Sequence, residues 1–125
     1  MTSQLVLITA TLFDALSIIL GAFGAHALKK IFTPELMQSF ETGVKYQMYH
    51  SIVLLIIGFQ LNFSTLLEKT SAWCFIIGVF LFSFSIYGLC ISSAKGNKIK
   101  ILGPITPLGG LCLLAGWVCL LIHFF

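Results

Sequence analysis

Apolar residues run almost without a break through four stretches, Gln4–Ala25, Gly43–Leu61, Ser71–Ser92 and Leu102–Phe125, and polar residues collect between them. A bilayer holds about 30 Å of hydrocarbon, and a helix rising about 1.5 Å per residue needs about 20 residues to cross it. Each stretch fits that length. The runs are continuous rather than alternating at period two, which selects helices over the strands of a membrane barrel. The expectation is an all-α integral membrane protein with four transmembrane helices in an up-down bundle. Its helices fall at about 4–25, 34–61, 71–92 and 102–125 within a single domain covering 1–125. The punctuation agrees. Thr33-Pro34-Glu35 has an N-cap threonine, a proline at the first helical position and an acid in the first turn, so the second helix starts before its apolar part. Lys95-Gly96-Asn97-Lys98 reads as a turn, and Pro104 and Pro107 sit where the fourth helix begins. Glu41 and Lys45 form an i, i+4 pair on the wet side of the second helix. No internal duplication or inverted repeat of a transporter is visible.

Composition sharpens the class. The chain is 58% hydrophobic and only 9% charged, against about 25% charged in soluble domains. Lys29, Lys30 and Lys45 flank the first connection and Lys95, Lys98 and Lys100 fill the third, whereas the second has only Lys69. By the positive-inside rule, loops 26–33 and 93–101 are expected to be cytoplasmic and both termini outside, in a cell (inner) membrane. The net charge of +3 then speaks of lipid headgroups rather than nucleic acid. Ala25-His26-Ala27 resembles a signal-peptidase site, but residues 1–4 carry no side-chain charge and the apolar run is too long, so retention of the first helix is expected. Cys74, Cys90, Cys112 and Cys119 form no C-x-x-C pair and read as apolar fillers, with no metal or other cofactor implied.

Helical spacing shows which faces meet. Ala10, Asp14, Ser17, Gly21 and Gly24 make a small, polar stripe on the first helix; Gly78, Ser85 and Ser92 on the third and Gly109, Cys112, Gly116 and Cys119 on the fourth do the same. Such faces allow close approach between membrane helices. Asp14 stands out as an intramembrane acid. A central Asp costs about 2.5–3.5 kcal/mol on insertion, and the eleven Leu, Ile, Val and Phe residues of that segment return about 5 in total, so the helix still inserts. The acid belongs inside the bundle, either as a proton- or cation-handling group or bonded to Ser17, Ser83, Ser85 or a backbone carbonyl.

The blocks "LGAFGAHALKK", "ETGVKYQMYHS", "GVFLFSFSIYGL" and "GPITPLGGLCLLAGW" resemble the signatures of the DUF423-type family of small four-helix membrane proteins, found in bacteria and in eukaryotic relatives. The resemblance spans nearly the whole chain. It implies the fold and a membrane location and brings no activity with it. The chain departs from the family pattern at Asp14, an acid the family does not require, and at Phe84, where glycine is frequent. In an up-down bundle all four blocks fall in the same, cytoplasmic, half of the membrane. His26, Lys45, Tyr46, Gln47, Tyr49, His50, Tyr87 and Thr106 are therefore the candidate polar cluster or ligand site, with Gly43, Gln47 and His50 on one helical face. No nucleophile with an oriented base, phosphate loop or zinc-protease helix is present, so no catalytic residue is assigned and no enzyme is expected. Two histidines alone are a thin ligand set for haem or a metal. The reading is a non-catalytic membrane protein acting through membrane lipids, a homo-oligomer or another membrane-protein partner. Its rival is a small oligomeric transporter or proton-coupled permease using Asp14 and His50.

Overall fold

A computed structural model describes residues 1–125 and contains no strand. Four long helices account for it: α1 (Ser3–Leu28), α2 (Pro34–Gln60), α3 (Leu66–Ala94) and α4 (Leu102–His123). Local chemistry sets their starts. Thr2 caps α1 by accepting from the Leu5 amide, and Thr33 caps α2 by accepting from that of Leu36, with Pro34 at the first position. α3 begins five residues before the apolar run suggests, because Thr65 and Glu68 form a reciprocal capping box. The Thr65 hydroxyl accepts from the Glu68 amide, and the Glu68 carboxylate accepts from the amides of Thr65 and Ser64. The α3–α4 connection reverses at Gly96, whose φ of +79° suits glycine.

Contacts run antiparallel from each helix to the next. Ser3 reaches Leu61, Gly58 packs on Leu7 and Gly24 on Phe40 between α1 and α2. Cys90 meets the Leu36 carbonyl, and His50 lies against Phe75, between α2 and α3. Ser85 meets Thr106 and Glu68 faces His123 between α3 and α4. The chain is thus an up-down bundle with α1 packed chiefly on α2 and α4 on α3. Six of the seven lysines sit around the end that carries the first and third connections.

Two helices change register midway. Ile19–Gly24 in α1 and Phe80–Phe84 in α3 are π-helical, one residue wider per turn than the α-helix around them. The bulge in α3 meets Gly109 of α4 so closely that a Cβ there would strike the backbone of Leu81 and Phe82. Gly78 and Gly116 give the same two helices close approach further along, against Leu113 and Phe75.

Large hydrophobic side chains cover the outside. Leu66, Phe59 and Phe23 are 79%, 72% and 71% exposed, which suits side chains that meet lipid. By length and composition α1, α3 and α4 are each able to cross a membrane. α2 is the least apolar of the four helices. Its 27 residues extend about 40 Å, but its first half is polar and it is absent from that set of three. The reason is visible in the packing: the polar side chains Gln47, His50 and Ser51 are buried in the bundle rather than turned outward.

Candidate functional site

Two apolar clusters fill the interior. The larger includes Val6, Ala10, Phe13, Leu54, Phe75, Val79 and Leu113, and the smaller, toward the lysine-rich end, includes Phe40, Val44, Ile86, Tyr87 and Cys90. A polar layer lies where they meet. Gln47, 0% exposed, donates through Nε2 to the Phe13 carbonyl of α1 at 2.7 Å and accepts at Oε1 from the Tyr87 hydroxyl of α3, also at 2.7 Å. One side chain therefore joins three helices. Ser83, in the α3 bulge, donates to the Gly43 carbonyl of α2 at 2.7 Å. One turn beyond Gln47, the Ser51 hydroxyl lies 3.2 Å from an Asp14 carboxylate oxygen, and Ser17 approaches the same oxygen at 3.4 Å. Every buried side-chain nitrogen and oxygen in the bundle has a partner, as burial in a low-dielectric interior demands.

His50 lies three residues beyond Gln47 on α2. The Trp117 indole N–H of α4, a group that only donates, points at His50 Nε2 from 3.1 Å. Nε2 must accept, so the ring proton sits on Nδ1, which donates to the Tyr46 carbonyl at 2.7 Å. His50 is held in one neutral tautomer with both nitrogens engaged, which leaves it no lone pair for a metal. Tyr46 stacks beside it and packs its ring on Phe82.

The eight residues named from sequence divide into three groups. Gln47 and Tyr87 share a bond, and His50 and Tyr46 lie next to them on α2. Thr106 is engaged elsewhere, with Ser85 at 2.6 Å and the Leu102 carbonyl at 3.2 Å. His26, Lys45 and Tyr49 are exposed and make no side-chain hydrogen bond, and no ion pair joins Lys45 to Glu41. The single ion-pair contact is His123 with Glu68, at 3.7 Å. Asp14 meets Ser17 and Ser51 rather than Ser83 or Ser85, because both of those serines are spent on the α3 bulge and its neighbours. Ser51 was accessible to sequence reasoning, four residues beyond Gln47 on the same helical face. Trp117 was not, since pairing across two helices leaves no local signal. A groove of about 460 Å³ lies apart from Gln47 and His50, between the start of α2, the end of α3 and the start of α4, with Thr106 in its wall.

Comparison with known proteins gives a consistent picture. The family model described as "Protein of unknown function (DUF423)" matches residues 20–110. A UPF0382 membrane protein of Staphylococcus haemolyticus is 38% identical over 122 residues, covering 98% of this chain and 96% of that protein. One of Schizosaccharomyces pombe is 38% identical over 114 residues, covering 90% and 95%. The UPF0382 membrane protein YwdK of Bacillus subtilis is 36% identical over 109 residues, covering 86% and 85%. No solved structure matches.

Proposed function

This chain belongs to the DUF423 family of membrane proteins, whose description names no function, and from that premise we propose that it is a non-catalytic, multi-pass protein of the cell membrane acting through surrounding lipids and membrane proteins. The observation that carries the reading is Gln47, buried and bonded at both Nε2 and Oε1 in tying α1 and α3 to α2. A polar group kept for chemistry leaves a donor or acceptor free for its substrate; here the polar layer is spent on helix association, which in a bilayer relies on such bonds and on small-residue contacts. In this reading the lysine-rich end faces the cytoplasm and both termini face outward.

The transporter alternative has less support. Asp14 and His50 share no bond; Asp14 is bracketed by two serines, and His50 is bracketed by Tyr46 and Trp117. The test is flux. Purified protein in proteoliposomes carrying a pH-sensitive dye and an imposed gradient should pass protons and common ions no faster than protein-free vesicles. Flux that depends on Asp14 or His50, lost in Asp14→Asn or His50→Ala, would sink the reading.

A further inference from the structure

The groove at the lysine-rich end combines three properties that the polar layer lacks. It is open and roomy, at about 460 Å³. Part of its wall is apolar, from Leu36 of α2 and Ile86 and Leu89 of α3. Its rim carries polar groups with nothing to bind: the hydroxyls of Ser39 and Ser93 make no hydrogen bond within the chain, and Lys98 has no acidic partner. The position of Lys98 is built rather than incidental. The Ile99 amide donates to the Ser92 hydroxyl and the Asn97 amide to the Ser92 carbonyl, folding the connection back over the end of α3. Lys95 and Lys100 in the same connection add positive charge, and no acidic residue lines the groove.

We infer that this groove binds one anionic phospholipid, with its phosphate at Lys98, Ser39 and Ser93 and the start of an acyl chain against Leu36, Ile86 and Leu89. The inference rests on the reading of the protein as a bundle that acts through lipid, and it names the lipid class and the place. Charge complementarity selects an anionic headgroup, because uncompensated lysines at a membrane surface attract negative lipid. The apolar wall beside the charged rim selects a lipid over a water-soluble anion, whose binding would leave that wall unused.

The experiment measures apparent dissociation constants by native mass spectrometry of the full chain in detergent, with dioctanoyl phosphatidylglycerol, dioctanoyl phosphatidylcholine and inorganic phosphate as separate probes. Phosphatidylglycerol should bind about fivefold more tightly than phosphatidylcholine, the difference one surface lysine makes. Lys98→Gln should remove that preference, while Lys69→Gln, at the opposite end, should keep it. A Cβ added at Gly103, in the groove wall, meets nothing within 4 Å. Gly103→Leu therefore adds bulk at the groove wall where there is open space for it, and should weaken both lipids with helicity unchanged by circular dichroism. Equal binding of the two lipids overturns the proposal, as does retention of the preference in Lys98→Gln or phosphate binding as tightly as phosphatidylglycerol. Ion flux in proteoliposomes would overturn the non-catalytic, non-transporting role and leave this site standing, whereas lost lipid preference without flux overturns this site alone.

Discussion

Gln47 illustrates how one side chain organises a membrane interior. Its amide has both a donor and an acceptor, and the bundle supplies a partner for each from a different helix. Gln47→Leu removes both bonds while preserving bulk, and strands the Tyr87 hydroxyl at a buried position. An unpartnered buried polar group costs about 1–3 kcal/mol, so the thermal midpoint in detergent should fall clearly. Adding Tyr87→Phe removes the stranded group, and the double variant should recover most of the loss, since replacing both partners by apolar groups is close to neutral. Additive losses in the double variant would show that the bond is not what holds these positions. The same bookkeeping explains His50. Its pairing with the donor-only Trp117 indole fixes the tautomer and makes the histidine a bridge between α2 and α4.

Among the helices, the closest contact is between α4 and the widened turn of α3. Gly109 faces backbone, not a side chain that can rotate away, whereas Gly103 faces open space. Gly109→Ala should destabilise the protein by about 1–3 kcal/mol, the usual range for overpacking, while Gly103→Ala should leave the unfolding midpoint within error. Equal effects at the two positions would contradict the packing described for the bulge. These helices were largely legible in the sequence: apolar runs of membrane length, the Thr33-Pro34 cap and the small-residue stripes all have local signatures. The start of α3 was misread because Glu68 and Lys69 break the apolar pattern while Glu68 completes a cap. The bulges were illegible, since Ile19–Gly24 and Phe80–Phe84 carry no proline and Gly21 and Gly24 read equally well as packing residues. Without them the facing of Ser83 toward Gly43 could not be derived, and of the serines named for Asp14 only Ser17 is its partner, joined by Ser51 of α2. For the same reason the groove at the lysine-rich end escaped notice, because its walls come from three helices and a connection.

The molecule as a whole is a bundle with large apolar residues outside, lysines concentrated at one end and a polar layer bonded across three helices. The charge asymmetry leads to the expectation that loop 93–101 is cytoplasmic. In oriented vesicles, a single cysteine at Asn97, in a chain whose four native cysteines are replaced by alanine, should react with a charged, membrane-impermeant thiol reagent from the cytoplasmic side only. Reaction from the outer side alone would invert the topology. The same vesicles probe the closed interior through Ser51, which is 1% exposed and lies beside Asp14 and one turn from Gln47. A cysteine there should remain unlabelled from both sides while one at exposed Ser39 is modified. Labelling at position 51 from either side would mean that water reaches the polar layer and that its side chains line a path rather than lock three helices together.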